Sequence, residues 1–430
     1  MRLEKYQNVQ DGRLKHAGHD YLELAETYGT PLYIFDEASF RERVKGYQQA
    51  METPYFETEV LYASKALLTK AIARLISELG IGQDVVSAGE IFTGIHNGVN
   101  PEKMYFHGNN KLNQEIRYAI ENNVGTIVID NRMEVERVNQ IAGEVGKKQR
   151  VLLRLNPGVE AHTHEYIMTA NLDSKFGESV FDEAIDTVIQ RLATAENLNF
   201  AGFHSHIGSQ IFEEASFYKA ATELLTFSAA VQNKLGIKIE EINFGGGFGV
   251  YYTETDQPFN VVDFLPNFIE HVHAEAVKLE INLKKVTIEP GRSLVNASGS
   301  TLYEIGDLKH TAGGKDYAFI DGSMNDNIRP ALYQAKYEAM VVNKAEFPAE
   351  KTYTIAGKAC ESGDKIIENI ELPELTTGDL LLVNGTGAYN YSMASNYNRI
   401  PRPAMIHVIE DKHYLTVKRE SFEEMMMREI

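Results

Sequence analysis

The chain carries a single cysteine, Cys360, so no disulfide can form within it. Positive charge is also scarce: 42 Lys and Arg stand against 61 Asp and Glu, a net charge of -19. That balance argues against non-specific binding to nucleic acid and against docking on an anionic membrane. No apolar run approaches the roughly 20 residues that span a bilayer. The opening residues, Met1-Arg2-Leu3-Glu4-Lys5, lack the apolar core of a secretion signal. There is no low-complexity linker and no repeat at solenoid spacing. What remains is ordinary globular composition, 43% hydrophobic and 24% charged over 430 residues, enough for two or three domains. A cytoplasmic protein is expected.

The most prominent pattern is a regular alternation. Eight short β-prone runs, Glu59–Ala63, Asp84–Val86, Met104–His107, Thr126–Asp130, Val151–Leu155, Phe200–His204, Ile239–Phe244 and Val286–Glu289, alternate with amphipathic helical stretches between Thr69 and Leu279. Eight such strands favour a closed parallel barrel, although a doubly wound sheet has the same alternation. Beyond about Ser293 the alternation stops. Strand-like runs from Ser300–Ile305 to His413–Lys418 follow without helices between them and read as a β domain. An early strand, Leu32–Phe35, is a candidate to pair with that domain. The segment Asp321–Tyr333 reads as a polar loop, and Glu420–Ile430, with Met425-Met426-Met427, as a terminal helix with one apolar face.

Nearly every strand of the first region ends in a group that chemistry can use: Lys65, Asp84 and Ser87, His107-Gly108-Asn109-Asn110, Asp130, Arg154 and Asn156, His204-Ser205-His206, Gly245-Gly246-Gly247, and Glu289-Pro290-Gly291-Arg292. In a parallel barrel these ends share one rim, where active sites form. Lys65 leaves a buried strand, where desolvation lowers the cost of losing its proton and lets it attack a carbonyl. A surface lysine at a helix start is the other reading. Gly245, Gly246 and Gly247 suit close approach of backbone N–H groups to an anion, or a tight loop with no ligand. They match neither a Walker loop nor the dinucleotide fingerprint. Glu289 needs a cationic partner, either a ring nitrogen or Arg292. His162, His164, His204 and His206 lack the spacing of a zinc site, and no metal is expected. Cys360, beside Glu361 and Asp364, reads as a small core residue or as a reactive thiol.

Taken together, Tyr62-Ala63-Ser64-Lys65-Ala66, His206-Ile207-Gly208-Ser209, Gly245-Gly246-Gly247, Glu289-Pro290-Gly291-Arg292, Ile328-Arg329-Pro330-Ala331-Leu332-Tyr333, Cys360-Glu361-Ser362 and Ser392-Met393-Ala394-Ser395-Asn396-Tyr397-Asn398 resemble the fold-type III pyridoxal-phosphate decarboxylases, most closely their diaminopimelate decarboxylase branch. The resemblance runs from about Thr30 to Pro403. It implies an alanine-racemase-like α/β barrel over residues 36–290 that binds pyridoxal 5'-phosphate. It also implies a C-terminal β domain over 291–430, joined by the segment 1–35. The chain departs from the commonest family pattern at Leu67, Lys358 and Asn384-Gly385-Thr386, none of which removes a chemical group.

By the same resemblance, Lys65 would form a Schiff base with the cofactor and His206 would stack on its ring. Glu289 would keep the ring nitrogen protonated. Asp84, Ser209, Gly245, Gly246, Gly247, Gly291, Arg292 and Tyr389 would complete the cofactor site. Cys360 would return a proton to the α-carbon. Arg292, Arg329, Tyr333, Glu361 and Tyr389 would hold the substrate, with the arginines on carboxylates and Glu361 on the distal ammonium. This set suits meso-diaminopimelate, decarboxylated to L-lysine as the last step of lysine biosynthesis, by a homodimer whose cysteine segment reaches into the partner's site. Two alternatives stand beside it: a relative acting on another diamino acid or on carboxynorspermidine, and a non-catalytic regulatory binding protein. The presence of both Lys65 and Cys360 speaks against the latter.

Overall fold

The computed structural model describes residues 1–158 and 174–430. His162 and His164 fall outside the described residues. The chain forms two compact units, one of Arg43–Val250 and Pro258–Ser293, the other of Met1–Glu42, Tyr251–Gln257 and Leu294–Ile430.

The first unit is built on eight parallel strands: β1 (Glu57–Ala63), β2 (Gly82–Val85), β3 (Met104–Phe106), β4 (Thr126–Ile129), β5 (Gln149–Asn156), β6 (Leu198–His204), β7 (Glu241–Asn243) and β8 (Lys285–Ile288). Each pairs with the next, and β8 returns to β1 with Val286 opposite Thr58 and Ile288 opposite Val60. The sheet is therefore closed, which removes the doubly wound alternative. A two-residue strand, Glu178–Ser179, adds to β5 in parallel. Leu61, Tyr105, Val128, Leu152 and Ala201, from five different strands, form one buried cluster. β1 adjoins none of the other four strands in the ring, so Leu61 meets their residues through the barrel interior, where layers of side chains fill the space.

The connecting helices are α1 (Lys70–Leu79), α2 (Ala88–Ile95), α3 (Asn113–Glu121), α4 (Arg132–Val145), α5 (Ile185–Thr194), α6 (Glu214–Leu235) and α7 (Val261–Lys278). Helix α1 shows why they form where they do. Thr69 caps it by accepting the Ile72 N–H at 3.2 Å, and Gly80 ends it in the left-handed conformation at φ 67°. Ile72, Ala73, Leu75 and Ile76 are buried while Lys70 and Arg74 are exposed. Each large aliphatic side chain so buried contributes about 1.5–3 kcal/mol.

In the second unit the strand Leu32–Asp36 lies between Gly299–His310, with which it runs antiparallel, and Ala404–Ile409, with which it runs parallel. The early segment thus pairs as expected. Lys365–Leu372 forms a further strand against Lys351–Ala356 that the sequence pattern did not reveal, because its outward positions carry Glu and Asn. The N-terminal ladder of Gln7–Gln10, Arg13–His16 and His19–Asp20 was also missed. It contributes Leu14 to a core with Tyr21, Leu32, Ile34, Leu302, Leu382 and Ile406. The Asp321–Tyr333 segment is a loop as expected over its first eight residues, but a buried one. Ser323, Asn325, Asp326 and Asn327 are buried, and Arg329–Tyr333 is a short helix. Asp326 is satisfied internally: Tyr303 Oη donates to Asp326 Oδ1 at 2.6 Å, and the Ser323 N–H donates to Asp326 Oδ2 at 2.9 Å.

Candidate active site

Parallel pairing brings the strand ends together. Ala63 stands opposite Asp84 in the β1–β2 register, so Lys65, one turn beyond Ala63, leaves the barrel beside Asp84. Lys65 is exposed. The Ser64–Ala66 turn carries it past the buried end of β1. Its charge still bears on the rim, opposing the burial that raises Asp84 and adding to the burial that lowers His206.

Glu289, at the exit of β8, is the centre of the buried polar cluster. Its Oε1 lies 2.7 Å from His107 Nε2 and accepts from Asn243 Nδ2 at 2.7 Å; its Oε2 lies 3.0 Å from His204 Nε2. These come from the ends of β3, β7 and β6. Arg292 is not the partner of Glu289. It points its guanidinium at Ser209, with Nε 3.3 Å from Oγ. Burial alone would raise the Glu289 carboxyl, but the two imidazoles outweigh burial and hold it well below the usual carboxylate range. His204, fully buried, is pushed down to about 4 by desolvation and is neutral at pH 7. Asp84 is raised by burial and sits 3.7 Å from His107 Nε2.

His206 follows the same logic. Burial, with the positive charges of Lys65 and Arg154 adding to it, holds its imidazole well below its ordinary value. Its Nδ1 accepts the Gly246 N–H at 3.2 Å, which places the proton of the neutral ring on Nε2. Glycine is required in that loop by packing. A Cβ on Gly246 would stand 2.2 Å from the Glu289 carbonyl oxygen, and one on Gly247, at φ 107°, 2.3 Å from that of Gly208. The His206–Ser209, Gly245–Gly247 and Glu289–Arg292 motifs thus interlock as backbone.

Outside this cluster, Lys111 and Glu134 form a fully buried ion pair at 3.0 Å. Lys111 Nζ also donates to Gly108 O at 2.9 Å and Val128 O at 2.6 Å, tying the loop after His107 to the end of β4. Arg154 lies 3.8 Å from Asp130 and 4.5 Å from the Phe176 ring centre. Sequence reasoning gave His107, Asn243, Lys111 and Glu134 no role. Position at a strand end was the signal for the first two; nothing in the sequence marked the Lys111–Glu134 pair.

The second unit carries the remaining candidates. Arg329 is buried; its NH1 donates to Tyr337 Oη at 2.5 Å, its guanidinium lies 4.5 Å from the Tyr252 ring centre, and its Nε has no acceptor among the described residues. Tyr333 ends the short helix that Arg329 begins. Cys360 and Glu361 are exposed, so the core reading of the thiol is excluded. Tyr389 has φ 62°, a left-handed conformation that a tyrosine holds only under external constraint.

The donor set fits pyridoxal phosphate. An ionised, buried carboxylate with acceptor capacity left on Oε2 suits a protonated ring nitrogen, and a guanidinium beside a serine hydroxyl suits a phosphate. Such a cofactor would be held by Glu289, His206, Ser209, Arg292 and Lys65.

The comparisons with known proteins agree. Residues 37–296 match the family model of the pyridoxal-dependent decarboxylase, pyridoxal binding domain. The chain is 46% identical to the diaminopimelate decarboxylase of Bacillus subtilis over 417 residues, covering 97% of this chain and 95% of that one. Identity is 43% to the enzyme of Bacillus methanolicus, over 96% of this chain and 95% of the relative. The solved structure of diaminopimelate decarboxylase from M. jannaschii superposes with a TM-score of 0.92 at 32% identity, covering 99% of this chain and 98% of that one. A second structure of that protein, in complex with L-lysine, gives 0.91 at the same identity and coverage. The chain belongs to the diaminopimelate decarboxylase family of pyridoxal-phosphate-dependent decarboxylases.

Proposed function

We propose that this protein is a carboxy-lyase that converts meso-2,6-diaminopimelate to L-lysine and CO2, the last step of lysine biosynthesis. The observation that carries the reading is Glu289, kept as a buried carboxylate by His107, His204 and Asn243 on the rim from which Lys65 emerges. Pyridoxal phosphate, when bound, supplies an electron sink for the bond pair released with CO2.

The protein's own residues do the rest. Lys65 would anchor the cofactor, and Glu289 would hold a proton on its ring nitrogen. His206, neutral and oriented by Gly246, would support the ring. Asp84, Ser209, Gly245, Gly246, Gly247, Gly291, Arg292 and Tyr389 would complete the cofactor's surroundings. Arg292 and Arg329 take the substrate carboxylates, and the unmet Nε donor of Arg329 supports this role. Glu361 takes the distal ammonium, and Tyr333 and Tyr389 line the substrate. The Cys360 thiol gives a proton to the carbon that has lost CO2. The exposure of Cys360 and Glu361 supports a homodimer in which this segment of one chain completes the site of the other. We place the enzyme in the cytoplasm, where amino-acid biosynthesis supplies its substrate. No helix among the described residues is long and apolar enough to cross a membrane.

The test is CO2 release by cofactor-loaded protein from meso-, LL- and DD-diaminopimelate, lysine, ornithine, arginine and carboxynorspermidine. Release from the meso isomer alone, with L-lysine as product, is expected. Release from another substrate would overturn the roles given to Arg292, Arg329 and Glu361 while keeping the cofactor chemistry.

A further inference from the structure

The last part of the chain, Glu420–Ile430, has no role in the mechanism above. Its acidic side chains nevertheless reach the segment that touches Cys360. Within the Cys360 loop, hydrogen bonds run from Ala359 N to Asp364 Oδ2 at 2.8 Å and from Gly357 N to Asp364 O at 3.0 Å. The N–H of Cys360 itself leaves the loop and donates to Asn398 Oδ1 at 2.7 Å.

Asn398 sits in a constrained backbone. Asn398 and Arg399 are consecutive non-glycine residues in the left-handed region, at φ 53° and 56°. Asparagine tolerates that region; arginine does so only when held. Two groups of the tail supply the hold. Glu420 accepts from Asn396 Nδ2 at 2.5 Å, from the Arg402 N–H at 3.1 Å and from Arg402 NH2 at 2.8 Å. Glu429 takes both guanidinium nitrogens of Arg399, at 2.6 and 3.2 Å. The Arg399–Glu429 pair is exposed on both sides and contributes little by itself. Glu420 is the firmer anchor, being partly buried and bound by four donor nitrogens, Arg402 Nε among them at 3.3 Å. From the other side, Asn325 Nδ2 donates to Tyr397 O at 2.6 Å.

We propose that Asn398 is the positioning residue of Cys360 and that the C-terminal tail, chiefly through Glu420, holds Asn398 in the conformation that accepts the Cys360 N–H. The hydrogen bond is exposed, so burial does not protect it from water, and the strained strap Asn396–Arg399 keeps the acceptor in place. Proton delivery from the thiol then depends on a residue that touches neither substrate nor cofactor. The catalytic half of this inference rests on the proton-donor reading of Cys360; the positional half does not.

The experiment uses the full-length holoenzyme and two readouts: amide hydrogen exchange at Cys360, and the separation of kcat from KM. Asn398→Gly keeps the left-handed backbone and removes the acceptor. Asn398→Asp keeps both. Glu420→Gln loosens the strap without touching Asn398. The expected result is that Asn398→Gly speeds exchange at Cys360 about tenfold and lowers kcat by about tenfold with KM unchanged, which corresponds to losing one hydrogen bond. Asn398→Asp restores both, and Glu420→Gln shifts both in the same direction by a smaller factor. Unchanged exchange at Cys360 in Asn398→Gly and Glu420→Gln overturns the proposal. If exchange rises in both variants but kcat holds, and Cys360→Ala also turns over normally, the positioning stands and the proton-donor reading fails instead.

Discussion

His107 Nε2 lies 2.7 Å from Glu289 Oε1, a contact between residues 182 positions apart that ties the third strand end of the barrel to the eighth. With His204 and Asn243 it surrounds one buried carboxylate with side-chain nitrogens. The carboxylate is thereby fixed in charge and direction before any ligand arrives.

Glu289→Gln keeps the shape and removes the charge. Its kcat is expected to fall by at least about a hundredfold, the usual scale for deleting a charge that stabilises the reacting state. His107→Gln, which leaves the carboxylate ionised but less firmly held, is expected to lose about tenfold. Steady-state rates with the bound cofactor monitored by absorbance give the comparison. A Glu289→Gln enzyme within threefold of the parent would remove this carboxylate from the mechanism.

His204 makes stability depend on pH. Its folded value of about 4 lies below the ordinary 6.5, so the unfolded chain takes up a proton that the folded chain refuses. The contribution is complete above pH 6.5 and is lost as pH falls toward 4, by up to about 3 kcal/mol. Denaturant unfolding at pH 7 and pH 4.5 should show a smaller loss in His204→Gln than in the parent. Equal losses in the two proteins would count against the buried neutral imidazole.

Lys111→Met leaves the Glu134 carboxylate buried without its ammonium partner. The expected cost is about 3–5 kcal/mol, and the double variant Lys111→Met/Glu134→Gln should recover much of it, because a buried pair costs most when half of it is removed. Guanidinium unfolding measures both. If the single variant lost less than about 1 kcal/mol, the pair would have to be treated as an exposed one.

Lys65→Ala should abolish the covalent cofactor adduct that borohydride traps in the parent, read by mass spectrometry. Cys360→Ala should keep that adduct and slow turnover by about two orders of magnitude, the scale of a lost general acid. An adduct that persisted in Lys65→Ala would move the anchoring role to another lysine.

Much of this was written in the chain itself. The apolar runs and the helical spacing between them are local properties, so the barrel strands and the described helices between them follow from residue order, as do the chemical groups at the strand ends. The motifs around Lys65, His206, Gly245–Gly247, Glu289 and Cys360 identify the family because their order along the chain is itself local information. Even the pairing of Leu32–Phe35 with the later β region was suggested by where apolar runs fall.

Only the tertiary structure decided the rest, since it depends on what lies opposite across long separations. Closure of the sheet is a β8–β1 pairing that neither strand encodes alone. The partners of Glu289 are His107, His204 and Asn243 and not the nearby Arg292, because strands converge at the rim while neighbours in sequence turn away from one another. Lys65, left open between a buried and a surface lysine, is exposed, while Lys111, which no pattern marked, is buried against Glu134. The polar run from Asp321 is buried because Tyr303 and its own backbone satisfy Asp326, a compensation invisible in a one-dimensional polarity pattern. Burial and partnership are collective properties of packing, and for that reason the sequence named the chemical groups while the fold assigned their partners and, with them, their charge.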